Sequence, residues 1–294
     1  MQKRAFTLIE LIFVIVIMGI LSKYGIELLF QAYRNFIFSK TNNALQSQSQ
    51  IAVETIAARL MYRIKDSAIA RQPGVTYEPV ASSTLAENAT VLEWVGYDVD
   101  GQRGDGTQTT PLWSGVIDLD LSNANMLKSP ATDTTKLNAL IGALSNGGSN
   151  ISHAALYFIG SDSDIYTGYG WNGVLNNHNN STIHRINSNA NSDEFVSGIG
   201  GVNFGGTDIF EYYQAAWTAY AVVHDPNNGE LRLFYDYQPW LGESYTDNGV
   251  KNQLIMNNVD TFRFTGVGSI IKIQVCVNTD LMEDYSLCKE KTVF

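Results

Sequence analysis

Three aspartates in one glycine-containing segment are the strongest candidates for binding chemistry in this sequence. Asp98, Asp100 and Asp105 lie within nine residues of each other. Clustered carboxylate oxygens in a turn suit calcium, although the spacing departs from the EF-hand loop, which needs glycine at its sixth position and glutamate at its twelfth. Because Asp and Gly are also ordinary turn formers, we interpret the segment as a turn and keep calcium as the one cofactor that it could hold.

The other residue types that could do chemistry form no recognisable site. The four histidines have spacings that build no metal site, and we expect His178 and His184 to be exposed, because they fall in the Asn- and Ser-rich stretch 172–193. The glycine-rich run 198–207 lacks the lysine of a phosphate-binding loop and precedes no helical pattern, which favours a flexible loop. No Gly-x-Ser-x-Gly nucleophile motif occurs. We therefore expect no catalytic site.

One carboxylate lies inside an apolar run. Glu10 interrupts the segment from Phe6 to Leu21, which follows the basic residues Lys3 and Arg4. An ionisable group within a membrane segment costs on the order of several kcal/mol unless it is paired, so Glu10 indicates a functional site. The alternative is a carboxylate that is simply favoured by the helix dipole near a helix N-terminus.

The apolar run predicts a membrane anchor that the mature protein retains. Its 16 residues are near the short limit for crossing a bilayer, and the helical pattern continues beyond Lys23 to Phe30. No small-x-small cleavage site follows Leu21, which argues against an ordinary secretory signal peptide. We therefore predict a transmembrane segment from Phe6 to Phe30.

The rest of the chain divides into an amphipathic helix and a strand-rich head. Apolar residues from Val53 to Ile64 recur on one helical stripe, and we expect the helix to fill 31–71 and to end near Ala70, before Pro73-Gly74. Short apolar runs broken by Gly, Asn and Asp then predict a head domain over 72–294. The predicted strands are 91–97, 115–121, 154–159, 218–223, 230–237, 260–265 and 270–277, with an edge strand over 289–294 and a short helix around 137–144. Hairpin connections favour an antiparallel sheet, so the fold class is α+β, a long N-terminal helix packed on a largely antiparallel sheet.

Charge is distributed unevenly between these two parts. The 294 residues carry 19 Lys and Arg against 29 Asp and Glu, a formal net charge of −10. Residues 1–71 hold nine of the basic and four of the acidic groups, a net charge of +5, which leaves −15 on the remainder. This acidity argues against a nucleic-acid partner, which would normally meet a basic patch.

The N-terminal residues Lys3-Arg4-Ala5-Phe6-Thr7-Leu8-Ile9-Glu10 resemble the cleavage and methylation motif of type IV prepilins and type II secretion pseudopilins. That motif is a basic leader ending in Gly, followed by Phe-Thr-Leu-(Ile/Leu)-Glu and an apolar helix, and the resemblance covers about the first 20 to 25 residues. It implies that residues 1–5 are a leader, which a prepilin peptidase removes by cutting between Ala5 and Phe6 on the cytoplasmic side, and that the new amine of Phe6 is methylated. Ala5 replaces the usual glycine, and we expect slower cleavage for that reason.

The resemblance also implies a role for Glu10 and a set of partners. Glu10 would neutralise the Phe6 amine of a neighbouring subunit during assembly. The implied partners are prepilin peptidase, other pilin or pseudopilin subunits and an inner-membrane assembly platform. The protein would be a single-pass protein of the bacterial inner membrane, with its head in the periplasm or on the fibre surface.

Cys276 and Cys288 are 12 positions apart near the C-terminus. A head exported to the oxidising periplasm can join them, as many pilins that this chain resembles close a C-terminal loop in the same way. The alternative is two unpaired thiols.

The size and plan of the head favour a minor subunit. The chain is larger than most major pilins, and its strand-rich head loosely resembles that of J-type pseudopilins and W-type minor pilins. The expected function is therefore structural, in a type II secretion pseudopilus or a type IV pilus. The alternative is a tip adhesin or ligand-binding module, which would use the Asn- and Ser-rich loop or an aromatic surface of Trp171, Trp217 and Trp240.

Overall fold

The computed structural model describes residues 7–74, 76–85, 88–104, 110–278 and 286–294. Its first element, α1, is a continuous helix over Leu8–Leu60. At 1.5 Å per residue this helix is about 80 Å long. Its side chains are exposed from Leu8 to Phe36, and the first buried one is Leu45. The helix therefore has a free N-terminal half and a packed C-terminal half.

The helix ends at Leu60, so the prediction that it reaches Ala70 is wrong. The Arg63 guanidinium donates to the carbonyl of Leu60 at 2.8 Å, and the backbone N–H of Ile64 donates to Val95 at 2.8 Å. Ile64 continues the apolar spacing of the helix, but it is buried in extended backbone against the sheet. The apolar stripe therefore extends beyond the end of the helix, because the chain remains packed against the core after its backbone becomes extended.

Within the described residues, the head contains two antiparallel sheets and two short α-helices. The described strands are β1 (Ile69–Gln72), β2 (Thr76–Pro79), β3 (Val91–Tyr97), β4 (Asp118–Asn123), β5 (Met126–Lys128), β6 (Ala155–Phe158), β7 (Ile183–Ser188), β8 (Glu194–Ser197), β9 (Tyr213–Asp225), β10 (Glu230–Tyr237), β11 (Lys251–Met256), β12 (Val259–Val267), β13 (Ile270–Asn278) and β14 (Ser286–Val293). The helices are α2 (Val99–Arg103) and α3 (Thr134–Leu144).

The larger sheet has eleven strands and is organised around β9. Its main path runs β2-β1-β3-β9-β6-β7-β8-β5-β4, and β10 pairs with both β9 and β11. The smaller sheet has the order β12-β13-β14. Every strand pair within the described residues is antiparallel, which confirms the predicted fold class.

The packed half of α1 lies between the two sheets of the head. Its buried residues form one core with the inner faces of β3, β9, β10 and β13. Those helix residues are Leu45, Ser49, Ala52, Val53, Ile56, Ala57 and Leu60. On the outer side of the helix, the Lys291 ammonium is 2.9 Å from the Glu54 carboxylate. The head therefore packs against α1 from about residue 45 onward, whereas the side chains from Leu8 to Phe36 are exposed.

Candidate membrane and assembly site

The N-terminal half of α1 is the only helix within the described residues that is long and apolar enough to cross a membrane. No residue of its most apolar stretch is buried by the rest of the chain. A soluble helix of this length would normally bury one face, whereas this segment exposes Phe, Ile, Leu and Val on every side. Such a surface is suited to lipid or to other apolar helices rather than to water.

Glu10 lies in the first turn of this helix. Its carboxylate accepts hydrogen bonds from the backbone N–H of Thr7 at 3.0 Å and from the Thr7 hydroxyl at 2.9 Å. These bonds satisfy the two donors of Thr7 at the start of the helix, and a negative charge there is favoured by the helix dipole. In the single chain the local capping role of Glu10 is therefore the one observed, and the carboxylate has no cationic partner among the described residues.

Comparison with known proteins identifies this segment. Residues 1–22 match the family model described as the prokaryotic N-terminal methylation motif. The chain carries a prepilin-type methylation motif. No curated protein and no solved structure matches the chain. The motif, the long apolar helix and the antiparallel head are together consistent with the type IV pilin and pseudopilin superfamily, whose members are processed by prepilin peptidase and assemble with other subunits.

The prepilin motif begins before the described part of the chain. The predicted cleavage site, Ala5 and Phe6, lies outside the described residues, as does the predicted methylated amine of Phe6. Thr7 and Glu10 are described, and they place the motif at the exposed tip of the helix, about 55 Å along its axis from the first buried residue, Leu45. The motif is thus presented far from the head.

The predicted calcium residues have different surroundings. Asp98 is 4% exposed, and its carboxylate accepts from the backbone N–H of Gly101 at 3.0 Å and from the Trp113 indole N–H at 3.2 Å. The bond from Gly101 caps α2, the short helix that forms where a turn was predicted. Asp100 is exposed, and Asp105 lies outside the described residues. Calcium binding stays a prediction, and the described side chains contain no group of three that could hold a metal ion.

The prediction that His178 and His184 are exposed is wrong. They are 1% and 2% exposed, with ring centroids 5.5 Å apart. Strand β7 runs through the predicted loop 172–193 and carries His184 into the core, where its ring packs on Phe158. Burial lowers the pKa of His178 to about 4 and that of His184 to about 3, so both imidazoles are neutral at pH 7.

The prediction of an aromatic surface on the head is also wrong. Trp171, Trp217 and Trp240 are 7%, 8% and 0% exposed. The Trp240 indole N–H donates to the backbone carbonyl of His153 at 2.9 Å. These three side chains are parts of the core and cannot serve as a stacking surface for a ligand.

The disulfide between Cys276 and Cys288 is confirmed. The two residues are direct register partners on β13 and β14, so the bridge joins neighbouring strands of the smaller sheet. That sheet packs against the buried half of α1 through Ile273 and Val275. The disulfide therefore stabilises the surface on which the helix rests.

Arg63 is a buried charged residue that the sequence pattern does not distinguish from its neighbours. It is 3% exposed, and its guanidinium donates to the carbonyls of Leu60 and Ser269. Ser269 lies in the turn between β12 and β13, so Arg63 joins the end of α1 to the smaller sheet. Burial lowers the pKa of Arg63, while nearby Asp66 opposes that shift.

Proposed function

We propose that this chain is a minor pilin or pseudopilin, a structural subunit of a type II secretion pseudopilus or a type IV pilus. One observation supports this proposal most directly. A single continuous helix is packed in the head over its C-terminal half and exposes an apolar surface over its N-terminal half, at whose tip the methylation motif lies. Such a helix can be held first by the membrane and then by the helices of neighbouring subunits.

The assembly step that we propose uses Glu10. After removal of residues 1–5, the amine of Phe6 in one subunit would meet the Glu10 carboxylate of a neighbour. In the single chain that carboxylate accepts only from the neutral donors of Thr7. A cationic amine is a stronger donor, because charge-assisted hydrogen bonds are roughly twice as strong as neutral ones. The exchange of donors would favour the assembled state within an apolar environment.

The decisive experiment compares two glutamates of the same helix in the full chain, expressed with its prepilin peptidase and assembly machinery. We expect Glu10→Ala to be inserted into the membrane, to lose residues 1–5 and to be methylated on Phe6, as mass spectrometry of the N-terminus would show. We further expect it to be absent from the sheared fibre or crosslinked pseudopilus fraction, because the neighbouring amine would lack its counterion.

Glu54→Ala is the matched control. Glu54 is exposed on the packed half of α1, and its ion pair with Lys291 contributes at most about 1 kcal/mol at the surface. This variant should enter the fibre like the wild type. Equal incorporation of Glu10→Ala and Glu54→Ala would refute the role of Glu10, and an N-terminus that keeps residues 1–5 would refute the proposed function itself.

The alternative function, a tip adhesin or ligand-binding module, has less support than the structural role. The aromatic side chains proposed for it are buried, and part of the Asn- and Ser-rich stretch is strand β7 of the larger sheet. Deleting 176–193 would remove that strand, so the deletion would damage the fold rather than isolate an adhesive loop.

A further inference from the structure

Four asparagines in the sequence are followed directly by glycine. They are Asn146, Asn172, Asn228 and Asn248, and all four are exposed on the head. In such a pair the backbone nitrogen of the glycine can attack the side-chain amide carbon of the asparagine, because glycine has no side chain to obstruct the close approach. The chain therefore offers four places for the same reaction, and the surroundings of each pair decide which of them reacts.

The reaction needs water but no other reactant. A bond forms between the glycine nitrogen and the asparagine Cγ, the Cγ–Nδ2 bond breaks, and the amide nitrogen leaves as ammonia with the proton of the glycine N–H. Water then opens the cyclic imide at one of its two carbonyl carbons, which gives aspartate or isoaspartate. The glycine N–H must be released from any hydrogen bond before it can lose its proton to base, and that release costs free energy.

Three of the four glycine N–H groups donate to a backbone carbonyl of their own turn. These bonds are Gly147 to Gly142 at 2.7 Å, Gly173 to Gly170 at 3.1 Å and Gly229 to Asp225 at 2.9 Å. Asn228 is held a second time, because its side-chain oxygen accepts from the Glu230 N–H at 2.9 Å. Attack at any of these three pairs would first have to break a hydrogen bond of the native turn.

The fourth pair has a different place in its turn. The Val250 N–H donates to the carbonyl of Asp247 at 3.3 Å, so Asn248 and Gly249 are the two central residues of a β-turn. Gly249 has a φ of 95°, which fits the positive φ that a type II turn requires at its third residue. The hydrogen bond of such a turn uses the N–H of the fourth residue and not that of the third. Within the described chain, neither the Gly249 N–H nor the Asn248 side chain makes a hydrogen bond.

We propose that Asn248 is a site of spontaneous deamidation in the folded protein. Its side chain is exposed, and the nitrogen that would attack it belongs to the next residue and is not engaged in the turn. A Cβ atom built on Gly249 would meet nothing within 4 Å, so water and base can reach the pair. The inference rests on one turn of the head and is independent of the proposed function.

The modification changes both the charge and the backbone of this turn. Conversion of Asn248 to an acidic residue adds one negative charge beside Asp247 and takes the formal net charge of the chain from −10 to −11. The isoaspartyl product also lengthens the backbone by one methylene group, directly before strand β11 begins at Lys251. Both products differ from asparagine in mass, and they differ from each other in backbone connectivity, so they can be measured separately.

The experiment follows all four pairs in the same full-length chain, purified in detergent with the Cys276–Cys288 bridge intact. The protein is incubated in mildly alkaline buffer, and peptide mapping by mass spectrometry gives the fraction of aspartate and isoaspartate at each asparagine over time. In the folded protein we expect Asn248 to be converted at least about fivefold faster than the other three, the factor that corresponds to one hydrogen bond of ordinary strength.

The same measurement in concentrated urea is the matched control. Unfolding releases all four glycine N–H groups, so the four rates should become similar. In the folded variant Asn248→Gln the fast product should be absent, because the longer side chain would have to close a less favourable six-membered ring, and the other three pairs should keep their rates. Similar rates at all four pairs in the folded protein, or faster conversion at Asn146, Asn172 or Asn228, would overturn the proposal. A preference for Asn248 that persists in urea would also overturn it, because the preference would then come from the local sequence and not from the turn.

Discussion

Asp98 is a predicted metal ligand whose surroundings in the head give it a different property. Its carboxylate is buried against two donors, the Gly101 N–H and the Trp113 indole. Burial disfavours the charged form and raises its pKa from 3.8 to about 6, although these hydrogen bonds oppose the shift. The stability that Asp98 contributes is therefore fully present below pH 3.8 and is lost as the pH rises through 6.

We expect Asp98→Asn to remove this pH dependence. The free energy of unfolding of the variant minus that of the wild type should increase by as much as about 3 kcal/mol between pH 4 and pH 7. The reason is that the amide has no charged form to bury, whereas the wild-type carboxyl loses stability as it ionises. Denaturant unfolding of the full chain in detergent measures this difference at each pH. Asp120→Asn, at an exposed position of β4, controls for the loss of one negative charge. A difference that is the same for both variants at every pH would contradict the prediction.

His178 and His184 give stability the opposite dependence on pH. Their pKa values of about 4 and about 3 lie below the ordinary 6.5, mainly because burial disfavours the imidazolium, and Arg185 adds to the effect at His178. A histidine whose pKa is lowered in the folded state contributes stability that is fully present above pH 6.5. This stability is lost as the pH falls toward the pKa of the folded state. As the pH falls, the region of β7 should therefore lose stability before these rings are protonated in the native state.

His184→Phe tests this expectation with a ring that cannot be protonated. The introduced phenyl ring would occupy a site already lined by the ring of Phe158. The free energy of unfolding of this variant should decrease less than that of the wild type between pH 7 and pH 4.5. In the wild type, NMR titration of the imidazole Cε1–H signals should show no native-state protonation of either ring near pH 6.5. A midpoint near 6.5 for both rings, or parallel stability profiles, would refute the expectation.

At the scale of the elements, the sequence predicts correctly those features whose signals are local. Asp225-Pro226-Asn227-Asn228-Gly229 predicts the turn between β9 and β10, and the Gly229 N–H closes it by donating to Asp225 at 2.9 Å. The hairpin of β12 and β13 and the edge strand β14 are confirmed in the same way. The methylation motif is local too, which is why it could be found from a few residues.

Features that depend on distant partners could not be predicted in this way. Strand β7 lies in the Asn- and Ser-rich stretch 172–193 that was predicted to be a loop, and it forms because β6 and β8 supply its hydrogen bonds. The end of α1 at Leu60 depends on Arg63, whose second acceptor, Ser269, is 206 positions away. The burial of Asp98 and of the two histidines likewise depends on which elements meet in the folded head. These interactions decide the surroundings of a candidate site residue, and no spacing in the sequence encodes them.

At the scale of the whole molecule, the two halves of α1 belong to different environments. The half that lies before Leu45 contributes nothing to the core of the head, whereas the half that follows supplies six buried apolar side chains. The charge follows the same division, since the part of the chain after residue 71 carries −15. A large net charge of one sign favours solubility, so we expect the head by itself to be soluble. The low solubility expected of the full chain should therefore come from the free half of α1.

Two truncations test this division. Removing residues 1–36 should leave a soluble, monomeric head with an intact Cys276–Cys288 bridge and a cooperative unfolding transition, because every buried residue of α1 is kept. Removing residues 1–60 should prevent folding. The six apolar side chains lost with that deletion contribute roughly 10 kcal/mol of burial, which is as much as the stability of a typical domain. Size-exclusion chromatography and near-ultraviolet circular dichroism distinguish the outcomes. Aggregation of 37–294, or a folded 61–294, would show that the head does not depend on α1 in this way.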